Sequence, residues 1–142
     1  MARLTRAQTL IGTNRKTEYF SDFVTSFAKT PVGDQLSRVV NEKSIFQSLK
    51  NLILTNLGER PFQPFIGSDV YRMLFENNYP EDLSDIEFYI QNTIENNEKR
   101  VNLIGVEVTS GENEHEIKVL IVFNTINNPE ETTFEYVLKR VR

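Results

Sequence analysis

Apolar positions follow two rhythms along this chain, one of helical period up to about residue 100 and one of strict alternation after it. Ile45, Phe46, Leu49, Leu52, Ile53 and Leu57 recur at three- and four-residue spacings, which predicts a helix from about Glu42 to Asn56 with a broad buried face. A second, shorter helix is expected to begin at Ser68 as N-cap, with Asp69 in its first turn and Val70, Met73 and Leu74 buried, and to stop before Pro80. A third is expected near Ser84, where Ser84 and Glu87 suit a capping box and Leu83 and Phe88 a hydrophobic staple. Its buried stripe would be Ile86, Tyr89, Ile90 and Ile94, running out in the polar stretch Glu95 to Arg100.

After Arg100 the period becomes two. Ile104, Val106 and Val108 predict one strand face, with Gly105 a candidate bulge, and Ser110 to Glu114 a polar hairpin connection. From Glu116 to Thr125 the strand is apolar on both sides, Ile117, Val119, Ile121 and Phe123 against Leu120 and Val122, which predicts the central position in a sheet. A turn at Asn127-Asn128-Pro129-Glu130 then leads to a last strand in which Phe134, Tyr136 and Leu138 share a face. The fold class expected is α+β: a three-helix layer packed on a small antiparallel meander of three strands, preceded by an extended N-terminal arm. Residues 1–40 are read as that arm, with a short helix or strand, and residues 41–142 as the domain.

The arm divides in two. Arg3, Arg6, Arg15 and Lys16 precede the first acid, Glu18, among too few apolar residues to pack, so this stretch is either a basic peptide that orders on an acidic partner or a frayed terminus. Tyr19, Phe20, Phe23, Val24 and Phe27 then fall at spacings that suit one helical face, which would cover the domain's own core or anchor the arm on a neighbour; Leu36, Val39 and Val40 suit a short strand.

Between the first two helices lies the most constrained stretch, Gly58-Glu59-Arg60-Pro61-Phe62-Gln63-Pro64-Phe65-Ile66-Gly67-Ser68. Pro61 and Pro64 each fix a backbone torsion and push Arg60 and Gln63 towards extended geometry, so the connector is stiff. On an extended backbone Glu59 and Arg60 would point to opposite sides and seek different partners, an arginine fork suiting a carboxylate or a row of carbonyls. Gly58 is placed to end the preceding helix in a left-handed turn, and Gly67 to free the backbone before Ser68.

The run from Asn41 to Asn78 around GERPFQPFIGSDVYRMLFEN resembles the baseplate wedge and sheath-initiator family of contractile phage tails, whose relatives serve in type VI secretion baseplates. Gly58, Glu59, Arg60, Pro61, Pro64 and Gly67 occupy the signature positions, and the likeness runs through the strands to cover roughly the last hundred residues. The resemblance implies a virion component assembled in the bacterial cytoplasm, with the connector facing the helical core bundle of other wedge proteins. Glu59, Arg60, Pro61, Phe62, Pro64 and Gly67 would form that contact.

A three-stranded meander leaves an outer strand unpaired, and such an edge can accept a strand from another chain, although most edges bind nothing. The resemblance favours acceptance: strands at Glu116 to Thr125 and Thr132 to Val141 would template the first sheath ring, with Phe134, Tyr136, Leu138 and Arg140 in the contact. Expected partners are therefore wedge proteins and the sheath protein, with tail tube or hub proteins as further candidates.

Composition narrows the other classes. A net charge of −4 offers no general attraction to nucleic acid or anionic lipid, no apolar run reaches membrane-spanning length, and the absence of cysteine removes disulfides and thiolate metal sites. The seven acids from Glu76 to Glu98 read as a solvated helix face rather than an acidic binding surface. The lone His115, beside Glu114 and Glu116, has no second histidine for a metal, and no cofactor is expected. A lysozyme-like label within the resembling family raises a glycosidase, which needs two carboxyl groups across a cleft, one protonated. Glu59 with Asp69 is the one pair near a rigid loop, but Arg60 and a helix start both favour the charged form, the wrong polarity for a general acid. The expectation is a non-enzymatic protein.

Overall fold

The computed structural model describes residues 19–31, 33–76, 81–111 and 116–139, without the side chains of 75, 76, 81 and 82. The basic stretch 1–16, His115 and Arg140 lie outside the described residues.

Alternation builds the sheet as expected. Strands β3 (Val101–Ser110), β4 (Glu116–Thr125) and β5 (Asn128–Lys139) pair antiparallel in the order β3-β4-β5, and β4 is central. Val119 and Ile121 on β4 stand opposite Val108 and Val106 on one side and Tyr136 and Phe134 on the other, so one face is apolar across all three strands. Three helices, α1 (Glu42–Leu54), α2 (Val70–Glu76) and α3 (Glu81–Asn97), close that face. Ile45, Leu49 and Ile53 of α1, Val70 and Leu74 of α2, and Ile86, Ile90 and Ile94 of α3 join Val106, Val108, Val119, Ile121, Phe123 and Leu138 in one buried cluster. Burying a side chain of this size contributes about 1.5–3 kcal/mol. Phe46 couples helix to sheet, edge-on to Phe123 at 6.0 Å and stacked on Phe134 at 5.3 Å.

Several local expectations are corrected. The register of β3 slips between Leu103 and Gly105, so Val101 and Leu103 join the inner face with Val106 and Val108 while Ile104 is turned out to solvent. A bulge changes the parity of a strand, which moves every later side chain to the other side. The turn before β5 is Ile126-Asn127 rather than Asn127 to Glu130, because Thr125 pairs directly with Asn128. Pro129 instead sits where the β4–β5 register is irregular, a position at which a missing N–H is tolerated.

α3 begins at Glu81, so Ser84 lies within the helix and caps nothing, and Phe88 is exposed against Tyr89 rather than stapled to Leu83. Tyr89 also leaves the predicted stripe, and Thr93 enters it. α1 stops at Leu54, two residues short of the expected end, with Thr55 extended and its N–H bonded to the Asn51 carbonyl; Leu57 is exposed beyond it.

The largest correction lies before α1. Residues 19–27 are not helical: β1 (Ser21–Phe23) pairs antiparallel with β2 (Arg38–Val40), and a bridge between Lys29 and Leu36 extends the hairpin. Two side chains from distant sequence hold it. The Asn41 Oδ1 accepts the N–H groups of Tyr19 and Phe20, and Gln47 accepts from the Thr25 N–H and donates to the Phe23 carbonyl. Phe20 alone of its aromatic group packs on the core, while Tyr19, Phe23 and Phe27 face solvent.

Candidate functional site

The connector is a closed loop rather than a single extended run. The Gly58 N–H donates to the Pro64 carbonyl at 2.8 Å, drawing the two ends of the proline-containing stretch together. Inside, the Arg60 carbonyl accepts the Gln63 N–H at 3.3 Å and the Gln63 carbonyl accepts the Ile66 N–H at 3.2 Å, giving two successive turns with a proline second and a phenylalanine third in each. Phe62 stands at φ 69°, the shape a type II turn demands at its third position. A bulky L-residue there is disfavoured by about 1–2 kcal/mol, so the surrounding bonds hold it against its own preference.

The loop's root is fixed to the domain. The Ser68 hydroxyl donates to the Ile53 carbonyl at 2.7 Å and its N–H to the Thr55 carbonyl at 2.8 Å, tying the loop's exit to the end of α1. Ser68 therefore locks two segments together rather than capping α2, and the Asp69 carbonyl accepts the first helical N–H, from Met73. The buried Thr93 hydroxyl of α3 donates to the Gly67 carbonyl at 3.3 Å. Gly67 has φ 135°, and a Cβ there would stand 2.5 Å from the Thr55 carbonyl oxygen, so the close crossing demands glycine on two counts. Gly58 is left-handed as expected, φ 82°, but lies three residues past Thr55, so it opens the loop instead of ending the helix.

Side chains in the loop take distinct roles. Glu59 turns back: its Oε2 accepts the Asn56 N–H at 2.9 Å while the Asn56 carbonyl accepts the Glu59 N–H at 3.1 Å. Arg60, Pro61 and Pro64 are exposed, and Arg60 makes no side-chain ion pair among the described residues. Phe62 is 102% exposed and Phe65, which sequence reasoning passed over, 87%. On β5, Leu138 is buried and Phe134 and Tyr136 pack against the core, Tyr136 beneath the Lys50 ammonium of α1. What β5 offers outward is main chain, because within the described residues its only strand neighbour is β4. Asp69, once paired with Glu59 as a candidate carboxyl couple, sits half-buried at the start of α2.

A buried ion pair that the sequence reading missed stands where α3 runs into β3. Glu98 is only 5% exposed and accepts from the Arg100 Nε at 2.7 Å and a terminal guanidinium nitrogen at 2.6 Å. Burial pushes the Glu98 carboxyl up, but the hydrogen bonds from Arg100 and Ser48 outweigh it and hold the group below its ordinary value. Arg100 is raised by that same bond, with Asp22 of the hairpin adding to it, and lies over the Phe20 ring at 5.5 Å. The pair thus joins α1, the α3–β3 junction and the hairpin. Among the described residues no cluster of three or more His, Cys, Asp or Glu could hold a metal, and no helix is long and apolar enough to cross a membrane.

A three-stranded antiparallel meander closed on one face by three helices is an α+β arrangement that solved structures share. Over 83% of each chain it aligns with a chain in the baseplate of the anti-feeding prophage, with a TM-score of 0.58 and 20% identity. A Geobacter sulfurreducens protein designated a tail lysozyme aligns with a TM-score of 0.64 and 20% identity, over 71% of this chain and 92% of that one. In sequence, baseplate wedge protein gp25 of Enterobacteria phage T4 is 34% identical over 96 residues, 68% of this chain and 73% of the phage protein. The chain belongs to the baseplate wedge protein gp25 family, whose model matches residues 39–130.

Proposed function

We propose that this chain is a non-catalytic structural part of a contractile-tail baseplate wedge, one that docks on the wedge core through the 58–67 loop and offers β5 as template for the first sheath ring. Family membership supports the wedge role. The observation that carries the docking is the loop, which holds exposed Arg60 and two exposed phenylalanines on a doubly turned backbone rooted in α1 and α3, while the template rests on β5 having only β4 as strand neighbour among the described residues. A free surface that costs strain and exposes apolar rings gains from a partner that covers it. The partners are other wedge proteins at the loop and the sheath protein at the sheet edge, with assembly in the host cytoplasm and residence in the tail.

The lysozyme designation of one fold neighbour suggests a hydrolase as the rival reading. Glu59 spends its carboxylate on the Asn56 N–H, a bracing role rather than proton donation, and fold likeness at 20% identity carries no activity.

A proline scan of β5 from Thr133 to Val137 tests the template. In an antiparallel strand alternate residues turn their N–H groups away from the paired neighbour, so every second proline removes only an outward donor. Those variants are expected to melt close to the parent protein yet fail to nucleate sheath on assembled wedges. Normal sheath growth on every well-folded proline variant would remove strand addition from the account.

A further inference from the structure

We propose that Phe62 and Phe65 act as a two-pronged apolar plug for a groove on a wedge subunit, that Arg60 meets a carboxylate at the groove's rim, and that Glu59 is an internal brace making no partner contact. The proposal rests on the docking reading of the loop and apportions the binding within it.

Both rings are almost wholly in water, yet the loop beneath them cannot fold away to cover them. Pro61 and Pro64 restrict it, the Gly58 to Pro64 bond closes it, and Gly67 and Ser68 anchor it against α1. Both phenylalanines stand at the third position of a hydrogen-bonded turn, Phe62 at φ 69° and Phe65 without a positive φ, so the two turns differ in type but each leaves its ring exposed. Leu54, the last residue of α1, and Leu57, just before the loop, are exposed as well. Rigid aromatic anchors lose little side-chain freedom on burial, which is why such rings dominate protein interfaces.

Charge decides the rim. Of the adjacent pair Glu59 and Arg60, the acid is committed to the Asn56 main chain while the guanidinium is exposed and without an ion pair among the described residues. Glu59 is an exposed carboxylate as well, but it is drawn back to the Asn56 main chain, so the charge free to reach a partner is the Arg60 guanidinium, and the complementary surface is an apolar groove bordered by Asp or Glu.

The test measures affinity of the full chain for a purified wedge subcomplex assembled without it. Phe62→Ala and Phe65→Ala are each expected to weaken binding by about 30-fold or more, the loss typical of a buried aromatic anchor. Arg60→Ala should cost about tenfold and flatten the salt dependence, whereas Glu59→Gln, which keeps the acceptor oxygen, should bind within about threefold of the parent. Phe62→Gly controls for folding, because it relieves the positive φ: it should bind as poorly as Phe62→Ala while melting no lower than the parent.

If both phenylalanine variants bind normally and Arg60→Ala does not, the plug is overturned while loop docking stands. If none of the loop variants alters affinity, the docking reading itself fails. Loss on Glu59→Gln would overturn the brace assignment. Retention on vesicles containing phosphatidylglycerol, abolished by the phenylalanine substitutions, would overturn the protein groove in favour of a lipid surface.

Discussion

Replacing Gly67 by alanine should damage this domain far more than the same change at Gly58, and the difference can be worked from geometry. Both glycines have positive φ, 135° and 82°. Around Gly58 a Cβ would meet nothing within 4 Å, so only the left-handed backbone is penalised, by about 1 kcal/mol. At Gly67 the φ belongs to a region that only glycine occupies freely, a cost of about 1–3 kcal/mol. In addition the Cβ would stand 2.5 Å from the Thr55 oxygen and 3.0 Å from the Asn56 carbonyl. These are backbone atoms, and the Thr55 carbonyl is already held by the Ser68 N–H, so they cannot swing aside as a flexible side chain would. Relieving the overlap adds about 1–3 kcal/mol. The reduced freedom of the unfolded alanine chain returns about 0.4–1 kcal/mol. The net loss is about 2–5 kcal/mol, and at about 3–4 °C per kcal/mol for a chain of this size that is roughly 6–20 °C in melting temperature. Thermal melting followed by circular dichroism on the two alanine variants provides the measurement. Equal falls at the two sites would refute the claim that α1 and the loop's exit meet without room for a methyl group.

The buried Glu98–Arg100 pair should make the domain acid-sensitive: a carboxyl held below its ordinary value adds stability that is complete above that value and lost as the pH falls through the folded one. Glu98→Gln should therefore cost about 1–3 kcal/mol at neutral pH, less than a fully buried pair because Arg100 is partly exposed, and the gap to the parent should narrow below about pH 4 in urea titrations. Phe123, fully buried on the central strand and in edge contact with Phe46, should lose about 3–5 kcal/mol on truncation to alanine, read as a lower urea midpoint with an unchanged slope.

What could be read from the sequence was whatever depends on near neighbours. The limits of β4 match its alternation residue for residue, and α1 begins at Glu42 as its apolar face requires. The two prolines marked the connector as a distinct stretch but not its shape, since closure depends on a bond between Gly58 and Pro64 across six positions. Misreadings arose where distant groups decide. Helical spacing from Tyr19 to Phe27 yields to a hairpin because Asn41 and Gln47 satisfy its main chain from more than twenty residues away. Ser84 carries a cap's chemistry, but α3 starts earlier, directly after Pro80 in the chain. Glu98 looked like one more acid in a solvated run; the reversal from α3 into β3 buries it, and only then does Arg100, two residues on, become its partner. The slip at Ile104 was half visible, in that Gly105 marked the place but not the direction.

One helix links the loop to the outer strand. The Ile53 carbonyl near the end of α1 accepts the Ser68 hydroxyl of the loop, and earlier on the same helix Phe46 and Lys50 rest on Phe134 and Tyr136 of the outer strand. Along a helix those separations are only about 5–10 Å. Tension applied at the loop thus has a short, stiff path to the strand, with no hinge between, and a tug on either end is felt at the other as displacement rather than absorbed as bending.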